Sequence, residues 1–187
     1  MKNKLQDIFS NQKEVHTVYS INQTQYALKL LKQESLGTKR YYGLAGLLSG
    51  LEKYTPDFAR QRASVPKWQV HNSAFSSALS QTDFKESKSK PELWGHFVET
   101  AIGTHLVRAA RLGEIKLQYW REGNDEIDFV IERKGKVIGL EVKSGRSQSA
   151  KGMEAFKKKA NPHKILMVGN SGIPWQSFLK CNIADLF

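Results

Sequence analysis

EIDFVIERKGKVIGLEVK, running from Glu126 to Lys143, decides how the rest of this chain is read. Two apolar runs flank Lys134-Gly135, and a two-residue turn at that point predicts a β-hairpin whose register is set by the loop. Counting outward from the turn places Asp128 opposite Glu141 and Glu126 opposite Lys143. Alternation along both strands then sends Ile127, Phe129, Ile131, Ile138, Leu140 and Val142 to one face, and the carboxylates with Lys143 to the other.

Directly opposed residues have Cβ atoms about 4.5–5.5 Å apart, and like charges so placed destabilise a sheet. A divalent cation would relieve the repulsion. Mg²⁺ takes oxygen ligands and keeps several waters, so one or two carboxylates beside a substrate phosphate suit it. Lys143, two residues after Glu141, stays on the same face and would orient a water or stabilise charge developing on a phosphate. The rival reading is a solvated sheet face with a Glu126–Lys143 cross-strand pair. The acid-x-Lys spacing alone does not choose, because it recurs, as at Asp83/Lys85, Glu86/Lys88 and Glu114/Lys116; unlike these three, Glu141/Lys143 has an acid-bearing strand just before it.

The chain has 187 residues, 40% of them hydrophobic, enough for one large domain or two small ones. Lys and Arg number 29 against 18 Asp and Glu, a formal charge of +11 that suits a polyanion such as nucleic acid. Both halves are basic, with 11 basic and 5 acidic residues over 1–75 and 18 and 13 over 76–187. The lone Cys181 excludes an internal disulfide and is read as a packing residue of a protein in a reducing cytosol. The opening MKNKLQDIFSNQKE lacks the apolar centre of a signal peptide, and no run reaches the roughly 18 apolar residues of a membrane span. The expected location is cytoplasmic, without a membrane partner.

Asn22-x-x-Gln25 predicts the start of a helix through Leu31, and a second short helix with Tyr42, Leu44, Leu47 and Leu48 follows Gly37. LEKY and KWQV would form a hairpin around a polar loop, so residues 1–75 suggest a winged helix. Its candidate phosphate contacts are Lys39, Arg40, Lys53, Arg60, Arg62 and Lys67; Arg121 and Arg146 are candidates farther along. A helical subdomain used for protein contacts is the alternative. Residues 71–90 form a Ser-rich bridge with a short helix expected over 73–80. Ser89 and Glu92 then suggest a capping box for a long helix whose stripe includes Trp94, Val98 and Leu106 and ends at Gly113. Glu99 stands at the edge of that stripe, with Gly95 and Gly103 one turn to either side, a bare ridge open to close approach. A strand EIKLQYW, the hairpin, a helix over 147–160 facing Met153 and Phe156 inward, and a strand KILMVG complete the pattern. The tail with Trp175, Phe178 and Ile183 is expected to pack on the sheet.

An acid on a first helix, then Asp and Glu-x-Lys on adjacent strands, in α-β-β-β-α-β order, resembles the PD-(D/E)xK restriction-endonuclease-like superfamily. Residues 91–160 are similar to the C-terminal domain, of uncharacterised function, of bacterial and archaeal AAA-type ATPases. The matching motifs are Gly95-His96-Phe97-Val98-Glu99, Tyr119-Trp120-Arg121, Glu126-Ile127-Asp128-Phe129-Val130 and Glu141-Val142-Lys143-Ser144-Gly145, with Pro66-Lys67-Trp68-Gln69-Val70 at the join. The resemblance implies that Asp128 and Glu141 ligate Mg²⁺ or Mn²⁺, that Glu99 completes the site, and that Lys143 serves the attacking water. No Gly-x-x-x-x-Gly-Lys-Ser/Thr phosphate loop precedes these motifs, so the expectation is a C-terminal part of such an ATPase or a stand-alone relative. The expected fold is α/β: a winged-helix-like segment at 1–75 and a nuclease-like domain at 76–187. The expected function is a Mg²⁺-dependent nuclease or nuclease-like DNA-binding module. The alternatives are a non-catalytic docking domain for an ATPase domain or subunit, and a nucleic-acid-binding protein without cleavage activity.

Overall fold

Lys134 and Gly135 have φ of 48° and 77°, the left-handed pair that a two-residue hairpin turn of type I′ needs. The computed structural model describes residues 47–72, 74, 82–143 and 151–187. In chain order these form β1 (Leu48–Lys53), α1 (Phe58–Ala63), β2 (Lys67–Val70), α2 (Phe84–Ser89), α3 (Pro91–Arg111), β3 (Lys116–Glu122), β4 (Asp125–Arg133), β5 (Lys136–Lys143), α4 (Lys151–Ala160), β6 (Lys164–Gly169), α5 (Trp175–Phe178) and a 3-10 turn (Ile183–Leu186). The protein is thus α/β, with a six-stranded mixed sheet in the order β2-β1-β3-β4-β5-β6. Among the described residues no helix is long and apolar enough to cross a membrane.

The hairpin register is the one the turn dictates, running from Arg133↔Lys136 to Phe129↔Leu140. There it stops. The β3–β4 ladder shifts by one residue between Gln118↔Val130 and Trp120↔Ile127, so Asp128 and Phe129 together face Tyr119. An extra residue of this kind is a β-bulge, which reverses the alternation beyond it. Ile127 therefore joins Trp120, Val130 and Phe156 in the core under α4. Phe129, Ile131, Ile138, Leu140 and Val142 pack in the other core, with Val98, Ile102 and Leu106 of α3 and with Phe178 and Ile183 of the tail. The expectation that Ile127 shares the Phe129 face is corrected by the bulge. Phe129 and Phe156 are fully buried on opposite sides of the sheet, each side chain contributing about 1.5–3 kcal/mol of transfer free energy.

The segment before the long helix differs from its sequence reading. Leu48, expected in a helix, opens β1 instead. The β1–β2 hairpin is joined through α1, which Asp57 caps by accepting the Arg60 N–H at 3.1 Å. β1 also runs parallel to β3, with Glu52↔Gln118 and Lys53↔Tyr119, so the expected winged-helix strands lie in the same sheet as the central β4–β5 hairpin. The helix expected over 22–31, and most of those at 42–48 and over 73–80, lie outside the described residues. The Ser89/Glu92 capping box does not form. Ser89 ends α2, its hydroxyl donating to Glu86 O at 2.7 Å, and Lys90 is the N-cap of α3 with Pro91 at the first position.

Candidate functional site

Glu99, Asp128, Glu141 and Lys143 are brought to one region by α3, the bulge on β4, and the end of β5. The bulge takes Asp128 out of the regular β3–β4 register. Its Oδ2 accepts the Val142 N–H at 2.9 Å, which is where the hairpin ladder ends. Asp128 and Glu141 are consequently not the directly registered pair that the turn alone implied. Nor do Glu126 and Lys143 pair: Glu126 faces Arg121 across β3 and accepts its Nε–H at 2.8 Å, and Lys143 Nζ lies 2.7 Å from Glu141 Oε1.

Charge here is concentrated and poorly solvated. Asp128 and Glu141 are buried, at 9% and 5% exposure. Burial, followed by the charges of Glu99 and Glu141, pushes the Asp128 carboxyl up to about 7 against the opposing pull of Lys67 and the Val142 N–H. Burial draws Lys143 down, but its hydrogen bond to Glu141 and the surrounding carboxylates outweigh it and hold the ammonium above the usual lysine value. Lys143 therefore stays an ammonium at neutral pH. Glu141 Oε2 is buried without a hydrogen-bond partner among the described residues.

Lys67 is the residue whose place sequence reasoning missed. Expected on a phosphate-binding surface, it instead reaches between two carboxylates, 2.8 Å from Glu99 Oε1 and 3.6 Å from Asp128 Oδ1. Burial lowers its basicity, and the charges of Glu99 and Asp128 more than reverse this, so it stays an ammonium. Gln69, two residues along the same face of β2, explains the reach. Its side-chain amide lies over Gly103, where an added Cβ would come within 2.2 Å of Gln69 Oε1, and Nε2 donates to Thr100 O at 3.1 Å. Glu99 is one helical turn before Gly103, so seating Gln69 over the glycine brings Lys67 to Glu99. The Gly95/Gly103 ridge was the legible half of this contact.

The other nucleic-acid candidates are dispersed. Arg121 is exposed and held by Glu126. Arg60 and Lys53 line a cleft of about 250 Å³ with Glu122 and Lys159, and Arg62 is exposed on α1. Lys39, Arg40 and Arg146 lie outside the described residues.

The donor set suits a hard divalent cation in kind, since it offers carboxylate oxygens, one of them buried and unpartnered. It is not closed into a cage: among the described residues, no group of three or more His, Cys, Asp or Glu side chains stands as a metal site. The positive charge between Glu99 and Asp128 belongs to Lys67. No curated protein and no solved structure matches the chain. Residues 94–178, which hold Glu99, Asp128, Glu141 and Lys143 and leave Lys67 outside, match the family described as Domain of unknown function (DUF4143).

Proposed function

We propose that this protein is a Mg²⁺-dependent nuclease, or a nuclease-like nucleic-acid-binding module, with a restriction-endonuclease-like core of the PD-(D/E)xK kind. The observation that carries the reading is Glu141: a buried carboxylate with one oxygen unpartnered, beside an Asp128 already crowded by like charge. Buried polar atoms are nearly always satisfied, so an orphaned one needs a reason. Asp128 and Glu141 would hold Mg²⁺, with Glu99 completing the set from α3. When bound, the ion supplies a Lewis acid and an activated water. Lys143, kept charged by Glu141, donates to a phosphate oxygen and stabilises the charge that grows on it. The net charge of +11 favours a polyanionic substrate, most simply DNA.

A second reading is supported by Lys67, which already offsets part of the charge of Glu99 and Asp128 without any metal. On that reading the domain is a non-catalytic docking or regulatory module, partnered with an ATPase domain or subunit. A cleavage assay on single-stranded, duplex and branched DNA and on RNA, with Mg²⁺ or Mn²⁺, separates the two. The nuclease reading expects metal-dependent cleavage that falls by about 10²–10⁴ in both Glu141→Gln and Lys143→Met. Absence of cleavage on every substrate by the folded protein favours the docking module.

A further inference from the structure

Lys67 Nζ is surrounded by groups that attract a cation. Besides Glu99 Oε1 and Asp128 Oδ1, it lies 3.4 Å from the Asp128 carbonyl oxygen and 5.1 Å from the centroid of the Phe129 ring. The side chain is 29% exposed, as is that of Glu99, so the cradle opens to solvent on one side. Lys67 belongs to neither the long helix nor the central hairpin. It is delivered by β2, fixed through Gln69 over Gly103.

We propose that the Lys67 ammonium is a built-in counter-ion between Glu99 and Asp128, and that a divalent metal held by Asp128 and Glu141 with Glu99 binds by displacing it from those two carboxylates, so that the β1–β2 hairpin sets the metal affinity of the site. The inference rests on the metal-binding reading above and adds its regulation. With Lys67 in place the carboxylates are partly neutralised, and a metal must compete with a tethered charge that is never diluted. A movement of β2 along α3 would withdraw the ammonium and raise metal affinity. The hairpin thereby couples anything that engages it to occupancy of the site.

Mn²⁺ binding, followed by calorimetric titration of the whole protein, tests this in wild type, Lys67→Met and Glu141→Gln. Lys67→Met should bind Mn²⁺ at least about tenfold more tightly than wild type, as expected from removal of one close positive charge. Equal or weaker binding by the folded variant, with binding lost in Glu141→Gln, overturns the competition while leaving the metal site standing. Binding by neither wild type nor Lys67→Met overturns the metal site and the competition together. Should Lys67→Met not fold, reductive methylation of wild-type Lys67 followed by mass spectrometry gives the answer. Saturating Mn²⁺ should raise the modification rate of Lys67 severalfold relative to Lys116, an exposed lysine of β3, and an unchanged ratio overturns the proposal.

Discussion

Replacing Asp128 by asparagine is expected to stabilise the metal-free protein at pH 8 by a few kcal/mol, on the order of 2–4, and to stabilise it progressively less as the pH is lowered to 5. The Asp128 carboxyl is held at about 7 in the folded protein against an ordinary value of 3.8. Between those values the folded state binds the proton and the unfolded state has released it. Stability therefore falls as pH rises through this window and levels off above about 7. Asparagine escapes that loss. Its carbonyl oxygen still accepts the Val142 N–H that Asp128 Oδ2 accepts at 2.9 Å, and Lys67 keeps Glu99. Melting temperatures of both proteins, measured with a chelator across pH 5 to 8, check the sign. A variant less stable than the parent at pH 8 would mean that the aspartate contributes as a structural anion, and the case for a cation site would weaken with it.

Gly169→Ala is expected to lower stability by about 3 kcal/mol or more, read from the midpoint of urea unfolding. Gly169 has φ of 132°, a backbone conformation that L side chains avoid. An added Cβ would stand 1.9 Å from Lys143 O, and the obstacle is backbone, which cannot swing aside. The same carbonyl accepts the Asn170 N–H at 3.2 Å, and Gly169 N–H donates to Ile173 O at 2.8 Å, so the strand end is held from both sides. The clash falls on the main chain of Lys143, so the substitution should also displace its ammonium from Glu141. A loss below about 1 kcal/mol would show that the ends of β5 and β6 relax independently.

Much of this region was legible because its determinants are local. The Lys134-Gly135 turn fixed the register of β4 and β5, and helical spacing located α3 with Glu99 on its edge. The β-bulge at Asp128–Phe129 was hidden because an inserted residue leaves no mark on an apolar run; IDFVI reads the same with or without it. The fate of Ile127 followed from that hidden feature. The parallel pairing of β1 with β3 joins residues more than sixty apart in sequence, and no local pattern specifies such a partner. Lys67 was placed elsewhere for a related reason: in a basic segment a lysine on a short strand looks like a phosphate contact, and only the notch at Gly103 on α3 reveals what it meets. Ser89 showed the opposite error, a recognisable capping pattern whose hydroxyl was already used by the preceding helix.

The placement of β1 between β2 and β3 bears on how the protein can be divided. A boundary near residue 75 looks natural on a linear map, but it would strip β1 from the flank of β3 and leave open the amide and carbonyl groups that now meet Glu52, Lys53 and Tyr54. Exposed strand flanks recruit whatever strand is nearby, and a shortened fragment would find its own copies first. It would also carry the carboxylates of Glu99 and Asp128 without Lys67. Such a piece would be both self-adhesive and electrostatically altered, so its behaviour in a tube would report on the cut and not on the parent molecule. Fragments meant to retain the native chemistry need to begin upstream of Leu48.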